Sequence, residues 1–291
     1  MNKLLTIVIP TYRSDKIIFK LLKTISTKYK IIIIENSFDN KFKNKIEKKF
    51  LNTQVYLKKN IGFGRAINFA VRKIKTKYFI AVNPDTIFYK QTIINLLKAA
   101  EKINKFGAIG PTHVDFKVDN NKDLFFEKNK INGPAMMFKT EIFKKIKEFD
   151  NNIFLYFEDN DYFKRCNLLN LKLYLIKNSY YNHSKSIKYN KSLVVKSSSF
   201  SNIDERNNSY FVGGWHGQWS KFYYLKKYNG LIKAFTMCIP SVIFNIFQLM
   251  IYFFINPFKA KYKYFKIEGF VCSLIGMSSF KRSKFDMDNK Y

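Results

Sequence analysis

Apolar residues gather along this chain into short runs, unbroken except for Thr6 in the first: Leu4–Ile9, Ile31–Ile34, Val55–Leu57 and Tyr78–Val82. Runs of this length, rich in β-branched and aromatic types and without alternation, are the pattern of strands covered on both faces. Phe106–Pro111 and Leu171–Ile176 are further strand candidates, and Asn132–Phe138 resumes a buried pattern. Between the runs the spacing changes to that of amphipathic helices. These are Ile17–Ser26, Phe42–Phe50, a Gly-containing turn and helix over Asn60–Val71, Thr92–Lys102, Glu141–Lys147 and Tyr162–Leu169. Ser14 or Asp15 and Thr140 stand where helix caps are expected. Thr112–Lys130 is polar and weakly periodic, which reads as a variable loop. Strand–loop–helix repetition predicts an α/β fold with a mostly parallel, doubly wound sheet.

Three of the early runs end in polar residues. Pro10, Thr11 and Tyr12 follow the first, Glu35 and Asn36 the second, and Asn83, Pro84 and Asp85 the fourth. A proline stops the ladder because it has no N–H to donate. In an open parallel sheet these endings fall on one rim, where ligands bind. One such acid commonly caps the next element; three endings together predict a single crevice with Asp85 at its edge. Asn60-Ile-Gly-Phe-Gly-Arg-Ala-Ile-Asn68 has two glycines and lacks the third of a dinucleotide fingerprint. It is either an ordinary tight turn or a place where backbone N–H groups approach a phosphate. Glu158, Asp159 and Asp161 crowd the start of a helix, where the dipole favours acids. The apolar approach Ile153–Phe157 would also desolvate them and raise a pKa, as a general base needs. His183 is one of three histidines; it is either structural or a ligand.

The last third differs. Lys188–Asn208 is rich in Ser, Asn and Lys and reads as a mobile loop. Tyr210–Trp219 and Ser220–Tyr228 interleave aromatics with lysines, which suits a headgroup layer or a packed helix equally. Ala234–Phe258 carries no charge and is long enough to span a bilayer, but Pro240, Ser241, Asn245, Gln248 and Asn256 interrupt it. Lysines flank it on both sides. Helices lying in or dipping into a cytoplasmic leaflet are favoured over a true span, with a homo-oligomer interface as a third option. The expected organisation is therefore a catalytic domain over 1–187, a loop over 188–209 and a helical tail over 210–291.

Composition sharpens this. The chain has 291 residues, and 52 Lys and Arg against 21 Asp and Glu give +31. That charge favours an anionic partner, although the abundance of Lys, Asn, Ile, Phe and Tyr also fits an AT-rich genome. No zinc-finger, KH or RRM signature accompanies it, so nucleic acid is not the expected partner. Three scattered cysteines argue against a disulfide framework and suit a reducing compartment. The N-terminus lacks the features of a signal peptide.

The order and spacing of Asn60-x-Gly-Phe-Gly-x-Ala-x-Asn68, Asn83-Pro-Asp85, Phe149-Asp150, Tyr156-Phe-Glu-Asp-x-Asp161 and His183-x-x-Ser186 resemble the family 2 glycosyltransferases of GT-A fold. The similarity runs from about Thr6 to Ser186. It is stronger to the bacterial branch of rhamnosyltransferases and galactofuranosyltransferases. The resemblance implies an inverting transfer from a dTDP- or UDP-sugar to a lipid-linked glycan of a surface polysaccharide, at the cytoplasmic face of the inner membrane. Pro10, Thr11, Tyr12 and Glu35 would hold the nucleobase and ribose. Asn60, Gly62, Phe63, Gly64 and Asn68 would line the nucleotide site. Asp85, aided by His183, would bind Mg²⁺ or Mn²⁺, and Asp159, second of the Glu158-Asp159 pair, would be the base. Three departures bear on the donor: Arg13 follows Tyr12 where Asn is common, Glu35 replaces the usual Asp, and Pro134 interrupts a Gly-Ala pair. A galactofuranose, galactose or N-acetylhexosamine donor is the enzymatic alternative. A basic membrane- or nucleic-acid-binding protein is the non-enzymatic one.

Overall fold

The structure, a computed structural model, describes residues 4–15, 17–115, 124–131, 134–183 and 208–281. Most of the loop expected over 188–209 and the end of the His183-x-x-Ser186 motif lie outside the described residues. The chain divides into two compact units, Met1–Asp150 with Asp159–Asn190, and Asn151–Glu158 with Lys191–Tyr291.

The first unit is a nine-stranded sheet. Its strands are β1 (Leu5–Thr11), β2 (Lys30–Glu35), β3 (Thr53–Leu57), β4 (Tyr78–Val82), β5 (Thr86–Phe88), β6 (Ala108–His113), β7 (Phe125–Lys128), β8 (Ala135–Lys139) and β9 (Leu173–His183). They lie in the order β3-β2-β1-β4-β8-β6-β9-β5, with β7 also on β9. β1 to β4 are mutually parallel; β8 runs against β4 and β6, and β9 runs with β6. The sheet is thus mostly parallel, as the sequence predicts, with β5, β7 and β8 reversed.

Helices cover both faces, which explains the unbroken apolar runs. Ile7 and Ile9 of β1, Ile31 and Ile33 of β2, and Ile80 of β4 pack in one core with Leu21 of α1 (Ile18–Thr24), Ile46 of α2 (Asn40–Lys49) and Leu96 of α4 (Thr92–Lys102). Val8, Ile32, Ile34, Phe79 and Ala81 point to the other face. There they meet Ile67 of α3 (Phe63–Val71), Phe143 of α5 (Thr140–Lys145) and Phe163 of α6 (Glu158–Leu168). Two expected caps are absent: α1 and α5 have no side-chain cap. Ser14 instead donates to the Tyr12 carbonyl at 3.1 Å, and Thr140 donates to the Thr76 carbonyl at 2.8 Å. Helix α6 begins four residues earlier than expected, so the acids occupy its first turn rather than precede it.

The second unit is helical. A π-helical turn, Val212–His216, runs into α7 (Gly217–Asn229), followed by α8 (Leu231–Ile255) and α9 (Pro257–Leu274). Gly269 is where α9 meets the π-turn: a Cβ there would lie 2.3 Å from the Trp215 carbonyl oxygen. The segment 151–158 belongs to this unit through specific bonds. Ser220 donates to the Leu155 carbonyl at 2.9 Å, Ser279 donates to the Asn152 carbonyl at 2.6 Å, and the Phe154 ring lies 4.6 Å from His216.

Candidate active site

Strand register brings the polar endings together. Thr11 pairs with Glu35, and Glu35 with Leu57. Val8 pairs with Ala81, so β4 ends on the same rim. Pro10, next to last in β1, is buried with it and pairs with Ile34. Glu35 is itself 1% exposed, and its carboxylate accepts from Thr11 Oγ1 at 2.5 Å, from the Ser37 N–H at 2.7 Å and from the Ser37 hydroxyl. The Asn36 N–H donates to the Thr11 carbonyl at 2.8 Å. Glu35 therefore ties the β1 and β2 endings together. Tyr12 is half-buried, and the Arg13 guanidinium lies 5.2 Å over its ring.

The glycine turn enters next to these. The Ile61 N–H reaches Asn36 Oδ1 at 3.5 Å, and the Gly62 N–H donates to Asn60 Oδ1 at 3.3 Å. Gly62 caps α3 at φ 83°, a left-handed position where a side chain is strained. Phe63 and Gly64 open the helix. Asn68, by contrast, is 1% exposed, and its amide exchanges hydrogen bonds with the backbone of Phe149 at 2.9 and 3.1 Å. Its side chain braces α3 against the chain leading to the acids. Sequence reasoning passed over Arg65, which is half-buried and the single charge in α3; burial lowers its pKa.

Asp85 sits half-buried in the turn after β4, where the Thr86 N–H donates to the Asn83 carbonyl at 3.2 Å. Asn83 in turn donates to the Pro134 carbonyl at 2.8 Å, and Pro84 lies between them. The next residue, Thr86, pairs in register with His183 of β9. Backbone pairing thus makes neighbours of two residues far apart in sequence. Among the described residues no group of three or more metal-ligating side chains occurs. A carboxylate at this turn fits a hard cation that takes most of its ligands from phosphate oxygens and water.

The acids sort into different roles. Asp161 is fully buried and ion-paired to Arg165 at 2.8 Å, and Arg165 also donates to the carbonyls of Ile146 and Glu148. Tyr162 adds its ring to a cluster with Phe138, Phe143 and Phe149, all centroids within 6.0 Å, and donates to the Gly107 carbonyl at 3.0 Å. These contacts fix α6 and so the position of Asp159 in its first turn. Asp159 Oδ1 accepts from the Asn160 N–H at 2.7 Å and from its amide at 3.0 Å. Burial pushes its pKa up, opposed by those bonds and by Lys130. Lys130 was also missed by the sequence reading; it lies in the polar stretch read as a loop. Glu158 is 8% exposed. Just before it, Tyr156 and Phe157 hold φ of 65° and 69°, a left-handed pair that bulky residues adopt only under constraint.

The candidate residues are thus a carboxylate with raised proton affinity, a rim carboxylate at the end of β4, and a glycine turn at a helix start. The profile of Glycosyl transferase family 2 matches residues 6–169, more than half of the chain. The chain belongs to that family. No curated protein sequence matches it significantly. Among solved structures it is similar to the mannosyltransferase PcManGT from Pyrobaculum calidifontis in complex with GDP-Man and Mn²⁺, at 10% identity and TM-score 0.55, over 93% of this chain and 86% of that one. GalNAc-T7 with UDP, GalNAc and Mn²⁺ is similar at 13% identity and TM-score 0.52, over 62% of this chain and 43% of that one. S. aureus TarS is similar at 16% identity and TM-score 0.49, over 62% of this chain. The chain spans only 36% of that TarS chain. At these identities the two likenesses with TM-scores above 0.5 establish the fold alone, GT-A.

Proposed function

We propose that this protein is an inverting, metal-dependent glycosyltransferase that takes a sugar from a nucleotide donor, with rhamnose favoured by the motif resemblance. The acceptor is a lipid-linked glycan of a bacterial surface polysaccharide, met at the cytoplasmic face of the inner membrane. The observation that carries the reaction class is Asp159: a carboxylate held on a fixed helix, in a family 2 fold, with its pKa raised. Two of the similar structures hold Mn²⁺ with a GDP-sugar or UDP, which supports a nucleotide-sugar donor and a divalent cation here.

In this reading the base of the donor rests against Thr11, Tyr12 and the wall that Glu35 braces. Backbone at Gly62 to Gly64 approaches the phosphates. Asp85 and His183 would hold Mg²⁺ or Mn²⁺. The cation, when bound, neutralises charge on the departing diphosphate. Asp159 takes the proton from the acceptor hydroxyl as that oxygen bonds to the anomeric carbon and the bond to the diphosphate breaks. Attack opposite the leaving group inverts the configuration. The raised pKa suits the role, since a base works best with a pKa near the operating pH.

Calorimetry with UDP and dTDP, with and without Mn²⁺, tests donor binding, which should be metal-dependent. Asp159→Asn should lower kcat by about 10²- to 10⁴-fold while donor affinity survives. Turnover near that of the native chain would remove Asp159 as the base.

A further inference from the structure

Helix α8 is built inside out. Its inward stripe is Ala234, Cys238, Val242 and Asn245. Asn245 is 3% exposed, whereas Phe244, Phe247 and Phe254 are 58%, 55% and 85% exposed. In water this arrangement leaves large apolar side chains uncovered along 25 residues, while the polar amide is inside, donating to the Ser241 carbonyl at 2.6 Å. The helix is long and apolar enough to cross a bilayer, but Pro240 lies within it and its N-terminal half packs on Phe222 of α7 and Phe270 of α9.

A second feature lies beside it. Lys259, Lys263 and Lys266 fall three and four residues apart on α9, which places them on one stripe. Lys221 of α7 precedes Phe222, whose ring lies 5.0 Å from that of Phe270 on α9, and its charge acts on Lys266 together with that of Lys263. The Nζ atoms of Lys263 and Lys266 lie 5.9 and 5.6 Å from the Tyr262 ring centroid. Glu268, the one acid on α9, is ion-paired elsewhere, to Lys281 at 2.6 Å. Among the described residues none of the four lysines has an acidic partner. Burial and mutual repulsion lower the pKa of Lys263 and Lys266. A partly desolvated group of like charges is held at a cost, and an incoming anion relieves it.

We propose that α8 lies in the interfacial plane of a bilayer and that Lys221, Lys263 and Lys266 form a site for the phosphate of an anionic phospholipid headgroup. This rests on the membrane-associated reading above and names the residues that make the contact. The apolar face supplies area without charge preference, and the lysines supply the preference for anionic lipid. Helix α2 offers the contrast: its lysines are a solvated basic face with no exposed apolar surface of this extent.

The test is co-sedimentation of the full chain with phosphatidylglycerol or phosphatidylcholine vesicles at physiological salt. The native chain should bind phosphatidylglycerol more tightly. The triple variant Lys221→Gln, Lys263→Gln, Lys266→Gln should lose about a hundredfold on phosphatidylglycerol, roughly fivefold per lysine, with little change on phosphatidylcholine. Phe253→Ser with Phe254→Ser should weaken binding to both. A matched triple change on α2, Lys41→Gln, Lys45→Gln and Lys48→Gln, should leave the lipid preference in place. Equal losses from the two triple variants would reduce the effect to net charge and overturn the site, as would unaltered binding by the first. Tighter binding of duplex DNA than of anionic vesicles, lost in the same variant, would replace the lipid with nucleic acid. A single Lys263→Glu reversal, checked by circular dichroism, guards against misfolding of the triple variant. UDP binding measured without vesicles keeps failure here separate from failure of the catalytic reading.

Discussion

Ile31–Ile34 in β2 and Ile243–Phe247 in α8, the second interrupted only by Asn245, are apolar stretches with opposite fates. All four isoleucines of the first are at most 1% exposed, between helices on both sheet faces. In the second, Ile243 is 60% exposed and the asparagine is the buried residue. The difference shows that an apolar run specifies only a wish to leave water. What satisfies it depends on partners: two helix layers for β2, and for α8 only one flank of a three-helix unit. The polar residues make the same point, since the amide that would face water on a soluble helix is turned inward on α8.

The comparison can be broken by experiment. Ile32→Ala should cost about 2–5 kcal/mol in denaturant unfolding, because a closed core cannot refill the space. Ile243→Ala in aqueous buffer should stay within about 0.5 kcal/mol, as for other exposed positions. Similar costs would mean that α8 is covered. Gly269→Ala should destabilise the helical unit by about 1–3 kcal/mol in a thermal melt, since its Cβ meets backbone at 2.3 Å and cannot be relieved by a side-chain rotation. A silent Gly269→Ala would mean the π-turn and α9 part easily. Smallest is Lys130→Ala. Lys130 holds the Asp159 pKa down against burial, so its removal moves that pKa further up. In the role proposed for it Asp159 works deprotonated, so the acid limb of the kcat profile should shift to higher pH with the plateau little changed.

Much of the first unit was legible because its signals are local. Unbroken runs gave β1 to β4, and the three polar endings gave the rim. What escaped depends on long-range pairing. β5 and β7 are three and four residues long and exist as strands only against β9. β9 itself continues past Ile176 through Lys177, Asn178 and Ser179, with a register shift opposite Pro111 and Thr112. Those polar residues read as a strand end, yet Ser179 is buried and donates to the Thr92 carbonyl at 3.3 Å. The caps failed for a similar reason, since Ser14 and Thr140 found carbonyl partners instead. At the site, residue types could mark Asp159 and Asp161 as candidates alike. Only Arg165, one turn further along α6, separates the structural acid from the available one.

The excursion of residues 151–158 has a practical consequence. The family match ends at residue 169, which invites a shortened chain that stops near 187. Such a chain would retain the whole nine-stranded sheet yet strand Phe154 without His216 and the Leu155 carbonyl without Ser220. Those eight residues lead directly to Asp159, through two left-handed linkages at Tyr156 and Phe157. A protein trimmed to its recognisable half would keep the Arg165 and Tyr162 contacts that hold α6 but leave the segment running into that helix without its own partners.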